Sequence, residues 1–257
     1  MRDAARALLE ALAAGGEPEA VLTARARRLG CNHGEPHVVV ALEAEDDAAA
    51  GGDPELALQA FGAELQSRFP GSVFAARELW ASALVRVRDP GSLAERLRGV
   101  LAVAERRGRV RLAGGSSRPC PALAGYPAAF DEARQALRIG RALQGPGAVV
   151  DVDALGAQRY LWALAQEPAP DLDQERLEQL LQHDRDHGTQ LFPTVEAYLE
   201  HGGNRKEAAA RLFVHRNTLR QRVERIRRVA GIDLDDVARH FDLQLAARIV
   251  RFRDVRS

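Results

Sequence analysis

The apolar period of this chain changes once, near Leu155, and that change decides the architecture. Before it, strand-length runs rich in β-branched residues alternate with stretches of helical spacing. His37 to Leu42 is the plainest strand, and Ser72 to Arg77, Ala83 to Arg88, Val110 to Ala113 and Ala148 to Val152 read the same way. Between them, Pro54 to Phe69, Ser92 to Arg107 and Tyr126 to Leu143 gather their apolar residues on one helical face. Two short helices, Asp3 to Ala14 and Pro18 to Leu29, come first, with Pro18 suited to a first turn and Gly30 to a stop. After Leu155 only helical spacing remains, and Pro168-Ala169-Pro170 is the plainest break.

This order predicts an α/β fold, a ferredoxin-like βαββαβ unit with one mixed sheet covered by helices and an extra helix and strand, followed by an all-α domain. The expected boundaries are 1–153 for the α/β domain, 154–190 for a helical linker and 191–257 for the all-helical domain.

With 257 residues, 46% of them hydrophobic, the chain can bury a core in one large domain or two modest ones. It has no apolar run of about 18 residues, so no membrane partner is expected. Met1-Arg2-Asp3-Ala4 leads into no apolar segment with a cleavage site, which predicts no signal peptide and a cytoplasmic protein. Cys31 and Cys120 stand far apart without a CxxC pair, against a disulfide framework. The formal net charge of zero hides an asymmetry. Gln190 to Ser257 hold 14 Arg and Lys against 9 Asp and Glu, and the remainder 22 against 27. A basic C-terminal piece on an acidic body points to a nucleic-acid contact at that end.

The informative stretch is Leu191 to Arg228. A helix from Pro193 ends at Gly202-Gly203. Asn204 can cap the next one, and Glu207 stands three residues on, where a capping-box acid reaches back. That helix, Arg205 to Leu212, carries Ala208, Ala209 and Ala210, small enough for another helix to approach closely. Phe213-Val214-His215 makes a turn, and Arg216 to Val229 forms a second helix. Leu219, Val223 and Ile226 fall on its inward face, which turns Asn217, Arg220, Gln221 and Glu224 outward. Arg pairs bidentately with guanine O6 and N7, Asn or Gln with adenine N6 and N7, and Thr218 and neighbouring arginines suit phosphates. The plain alternative is an arginine-rich solvated helix pair.

The string Ala209-Ala-Arg-Leu-Phe-Val-His-Arg-Asn-Thr-Leu-Arg-Gln-Arg-Val223 resembles the Fis-type helix-turn-helix at the C-terminus of PucR/CdaR-family transcriptional regulators. Asp184-Arg-Asp-His-Gly-Thr189 and Tyr198-Leu-Glu-His-Gly-Gly-Asn204 resemble that family's lead-in, and Gly231-Ile-Asp-Leu-Asp235 and Leu243-Gln-Leu-Ala246 its closing segment. Leu8-Leu-Glu-Ala-Leu12, Ala24-Arg-Ala-Arg-Arg-Leu-Gly30, Pro36-His-Val-Val-Val40, Gly114-Gly-Ser-Ser-Arg118 and Ala129-Phe-Asp-Glu-Ala-Arg134 resemble its degenerate GGDEF-like domain.

The resemblance implies that the corner His215 to Thr218 enters the major groove of double-stranded DNA. Arg216 and Asn217 would read bases, and Thr218, Arg220 and Arg222 would hold mostly phosphates. Gln221 would tune the preferred sequence, with Arg205 and Lys206 as further contacts on the preceding helix. One such helix covers only a few base pairs, so a homodimer on two half-sites is expected, with an unidentified small-molecule effector as a further partner; many relatives have a sensor domain upstream. Met1 would then open either a short form or a piece of a longer chain.

Other motifs are set aside. Gly51-Gly52-Asp53 looks like a cyclase signature, but Pro54 follows it and it lies before a helix. The hairpin carries Arg77-Glu78-Leu79-Trp80, without a glycine pair for a phosphate. Glu43, Glu45, Asp46 and Asp47 read as an acidic surface loop rather than a Mg²⁺ site. His183 and His187 share a helix face without a third ligand, Cys31 and His33 make a poor zinc site alone, and Ser116-Ser117 after two glycines reads as a turn more than an anion cradle. No G-x-S-x-G elbow or P-loop occurs. The expectation is no enzyme, no catalytic or metal residue and no cofactor. The rivals are a cyclic-dinucleotide enzyme and a nucleotide or small-molecule sensor module whose helical tail binds a protein partner.

Overall fold

The run expected as a strand at His37 becomes the middle of a five-stranded sheet in the computed structural model, which describes residues 2–31, 35–45, 51–87, 93–165 and 171–254. His33, Asp46, Asp47, Arg88, Ser92 and Pro168 to Pro170 lie outside the described residues. The chain divides into two units, Met1–Arg159 and Tyr160–Ser257.

In the first unit, β1 (His37–Ala44) is buried on both faces, which is why it reads as an almost unbroken apolar run. It pairs antiparallel with β3 (Trp80–Arg86) on one side and β4 (Leu112–Ser116) on the other. β2 (Val73–Arg77) joins β3 as a hairpin, and β5 (Val149–Asp151) runs parallel to β4, so the order is β2-β3-β1-β4-β5. Alternate residues of β1 face opposite layers. Val38, Val40 and Leu42 pack with Phe61 and Leu65 of α3 (Pro54–Arg68) and Leu97 and Leu101 of α4 (Leu93–Gly108). Val39 and Ala41 pack with Leu8 and Leu12 of α1 (Arg2–Ala14), Leu22 of α2 (Glu19–Arg28), and Phe130 and Leu137 of α5 (Tyr126–Gln144). The predicted mixed sheet between helices is therefore present.

Of two glycine pairs, one does work the sequence reading assigned otherwise and one stands where it was read, before a helix. Gly114 and Gly115, expected in a turn after the strand, lie inside β4. A Cβ on Gly115 would stand 2.2 Å from the Leu137 N and 2.3 Å from the Ala133 O, so α5 rests on the strand's backbone. Ser116 and Ser117 are likewise buried: Ser116 Oγ donates to Asp151 at 2.9 Å, and Ser117 Oγ accepts from the Val39 N–H at 3.0 Å. The other pair, Gly51-Gly52, leads into a helix cap, where Asp53 accepts from the Leu56 N–H at 2.9 Å. A Cβ on Gly52 would meet Val110 Cγ1 at 2.4 Å, so the glycine admits a close approach of that side chain. Glu43 lies in β1 and is ion-paired to Arg141. Among the described residues no three His, Cys, Asp or Glu side chains are grouped to hold a metal, and no helix is long and apolar enough to cross a membrane.

α6 (Gln158–Leu164) crosses the division between the units. The second unit continues with α7 (Leu172–His187), α8 (Leu191–Glu200), α9 (Arg205–Arg211), α10 (Arg216–Ala230) and α11 (His240–Asp254). Leu177 and Leu180 of α7, Phe192 and Val195 of α8, Leu219 and Ile226 of α10, and Leu243 and Val250 of α11 share one core.

Candidate nucleic-acid interface

The candidate site is the α9–turn–α10 corner, and its geometry begins one helix earlier. α8 has no capping side chain of its own. Asp184, at the end of α7, supplies one: its carboxylate accepts from the Leu191 N–H at 2.7 Å, the Phe192 N–H at 2.8 Å and the Thr189 hydroxyl at 2.5 Å. An acid at a helix N-terminus satisfies orphan donors and the macrodipole together. Gly202 and Gly203, at φ 58° and 84°, then turn the chain into α9. Asn204 caps α9 as expected, its Oδ1 accepting from the Lys206 and Glu207 N–H groups at 3.1 and 3.3 Å. The return half of the capping box is absent, because the Asn204 N–H already donates to the His201 carbonyl at 2.9 Å.

α9 ends in a Schellman motif: the Val214 N–H donates to the Ala209 carbonyl at 3.0 Å and the Phe213 N–H to the Ala210 carbonyl at 3.1 Å. The left-handed residue of such an ending is usually glycine; here it is Phe213, at φ 55°, with its side chain 93% exposed. Val214 folds back onto the core. His215 then caps α10, its Nδ1 accepting from the Asn217 N–H at 3.3 Å. The first turn of α10 has no acid to complement the helix dipole and carries Arg216 instead. That choice is unfavourable for an isolated helix and favourable next to a polyanion.

Leu219 and Ile226 are buried, and Val223 is partly buried against the same core. Arg216, Asn217, Arg220 and Gln221 are exposed, and Thr218 is half-buried. Among the described residues, Arg220 is ion-paired with Glu224, at 4.0 Å along its own helix. Lys206 is exposed at the start of α9. The remaining two site residues are engaged within the unit. The Arg222 guanidinium donates to Gln190 at 3.1 Å and Thr194 at 3.5 Å, which ties α10 to the start of α8. Arg205 forks onto both Asp235 oxygens at 2.7 and 2.8 Å, and the Tyr198 hydroxyl donates to the same carboxylate at 2.8 Å. The Arg205 and Tyr198 hydrogen bonds hold the Asp235 carboxyl below the usual aspartate range. The corner is thus braced from both sides, with a cationic and amide-bearing face left open between the braces. Phe213 and Asp184 were missed by sequence reasoning. An aromatic residue at the left-handed position of a helix–helix turn would have been the signal for the first, but Asp184 acts on a helix other than its own.

Residues 191–249 match the family described as the PucR C-terminal helix-turn-helix domain, and residues 14–139 match the GGDEF-like domain. Among curated proteins of Bacillus subtilis, the DNA-binding transcriptional activator AdeR is 37% identical over 73 residues, covering 28% of this chain and 17% of that protein. The proline-responsive transcriptional activator PutR is 33% identical over 98 residues, or 38% of this chain and 24% of PutR. The purine catabolism regulatory protein is 31% identical over 137 residues, or 53% of this chain and 26% of that protein. The matched stretches therefore span about a quarter or less of the length of these relatives. With a GGDEF-like domain followed by a PucR C-terminal helix-turn-helix domain, the chain belongs to the PucR-type family of transcriptional regulators.

Proposed function

We propose that the chain is a sequence-specific DNA-binding transcriptional regulator, with the start of α10 entering the major groove. The observation that supports this most is the first turn of α10: an arginine and an asparagine, both exposed, no acid, and a dipole whose positive end points the same way. Arg216 and Asn217 are assigned to base edges, and Arg220, Gln221 and Thr218 to neighbouring bases and phosphates. Lys206 is assigned to a phosphate. Phe213 is added to the set, its exposed ring placed for apolar contact with a thymine methyl or a sugar. Arg205 and Arg222 are assigned first to fixing the corner and only at its edges to the phosphates.

One helix reads only a few base pairs, so the active form is proposed to be a homodimer on half-sites about 10 base pairs apart or a multiple of that. DNA as partner makes the cytoplasm the proposed compartment. The first unit, residues 1–153 in this reading, is proposed to be a regulatory or dimerisation module without cyclase chemistry, since its hairpin turn carries Arg77-Glu78-Leu79-Trp80 and Gly51-Gly52 serves a helix cap. The test is fluorescence anisotropy with the DNA upstream of the protein's own gene against scrambled DNA across a salt series. Selective binding that weakens steeply with salt supports the reading. Absence of DNA binding even at low salt overturns it in favour of a helical unit that binds a protein.

A further inference from the structure

The hairpin end of the first unit holds a groove that the DNA reading does not use. Residues of β2 and β3 alternate between the two layers, and Ala75, Arg77, Trp80 and Ser82 fall on the side of α1 and α5, in the pairs Ala75↔Ser82 and Arg77↔Trp80. Farther along the same side, Val73 and Leu84 fill the space as core residues. Ala75 and Ser82 are too small to do so, and they leave a cavity of about 220 Å³ between α1 and α5.

The walls have a definite chemistry. Trp80 lines the groove with 48% of its surface exposed, and the buried Phe130 of α5 lines it as well. Three arginines, Arg6 of α1, Arg77 of β2 and Arg134 of α5, line it from three separate elements, together with Glu10 of α1. Their ion pairs are local and solvated: Arg6 to Asp3 at 3.6 Å and Glu10 at 4.0 Å, Arg77 to Glu78 at 3.7 Å, and Arg134 to Asp131 at 3.3 Å; Arg134 Nε also donates to the Phe130 carbonyl of its own helix at 3.3 Å. Such exposed pairs hold a guanidinium weakly, which leaves each free to turn toward an anion.

We propose that this groove binds a small planar aromatic molecule bearing one oxyanion, its ring stacked on Trp80 and its carboxylate or phosphate held by Arg77, Arg134 and Arg6. The exposed indole selects a flat apolar body, because stacking removes ring surface from water on both partners. Three arginines that can each exchange an exposed carboxylate partner for a ligand favour an anion, and the planar fork of arginine matches a carboxylate or a phosphate bidentately. The volume is below the roughly 300 Å³ at which drug-sized pockets begin, so one ring system and one anionic group fill it. The ligand would tie α1 to the hairpin and α5, which makes this unit the receiver of a chemical signal.

The test uses the full chain and the indole N–H resonances of its two tryptophans, with Trp162→Phe assigning the Trp80 signal. Naphthoate and naphthyl phosphate are titrated separately, with uncharged naphthamide and inorganic phosphate as controls. The expected result is a saturable shift of the Trp80 resonance with at least one aryl oxyanion, the tighter of the two naming the anion class. Naphthamide and phosphate alone should bind at least about tenfold more weakly, and Arg77→Gln and Arg134→Gln should each weaken the aryl oxyanion about tenfold with an unchanged circular dichroism spectrum. The proposal is overturned if neither aryl oxyanion shifts Trp80, if naphthamide binds as tightly, or if both arginine variants keep full affinity.

Discussion

Phe213→Gly should stabilise the second unit while weakening its DNA binding, two effects of opposite sign from one substitution. Phe213 holds φ 55° at the left-handed position of the Schellman turn. A side chain in that region costs about 1–2 kcal/mol relative to the right-handed one, and glycine removes the penalty. Glycine also frees the unfolded chain, which offsets about 0.4–1 kcal/mol. The ring is 93% exposed, so little burial is lost. The net gain is about 0.5–1 kcal/mol, or a rise of roughly 2–6 °C in the midpoint of a domain of this size. Thermal unfolding in a Trp80→Phe background reads it, because Trp162, stacked edge-on against Phe252 at 5.2 Å, then reports on the helical unit alone. If the ring covers about 40 Å² of thymine methyl or sugar in the complex, its loss costs about 1 kcal/mol at ~25 cal/mol per Å², close to a fivefold weaker operator affinity. A lower midpoint refutes the strain argument. A higher midpoint with unchanged affinity refutes the contact assigned to the ring and leaves the strain without a functional reason.

Arg216→Ala should cost about 1–3 kcal/mol on the specific operator and less on random DNA, measured by competition anisotropy; equal losses on both would move Arg216 from bases to phosphates. Leu219→Asp puts a charge into the core between α8 and α10 and should unfold the second unit, read as lost helical circular dichroism together with lost DNA binding. Gly115→Ala should destabilise the first unit by about 1–3 kcal/mol in denaturant titration, because its methyl has to displace the backbone of α5. For Asp235 the folded pKa lies below the unfolded value of about 3.9, so its contribution is complete above that value and disappears as pH falls through the lowered one. Asp235→Asn and the parent chain should therefore differ in midpoint above about pH 5 and converge in strong acid.

Periodicity made the layers of the first unit legible, since β1 is buried on both faces and the covering helices each carry one apolar stripe. It failed at Gly114-Gly115 because one residue type answers two physical needs. A glycine that permits a positive φ and a glycine that removes a Cβ look identical in the sequence. Only the arrival of α5 over β4 tells them apart, through Ala133 and Leu137, which belong to the next helix along the chain. Gly30, by contrast, was read correctly as a stop, and it does hold a positive φ of 74° after α2.

The corner shows the same limit at the level of charge. The buried stripe of α10 set its outward face directly, because Leu219 and Ile226 leave one orientation for Arg216, Asn217, Arg220 and Gln221. Which arginines that face keeps free is a different question, and a helical wheel does not contain the answer. Arg222 is occupied by Gln190 and Thr194 across a helix junction, and Arg205 by an aspartate beyond the end of α10. Counting basic residues therefore overstates the cations available to a phosphate backbone. Each arginine that leaves an internal partner to reach DNA must exchange one charge-assisted hydrogen bond for another and gains only the difference. Arg216, exposed at the start of α10, and Arg220, held by an exposed pair with Glu224 at 4.0 Å, keep most of the gain. On this argument the salt slope of binding should report fewer phosphates than the arginine count of the corner, and the deficit should be Arg205 and Arg222.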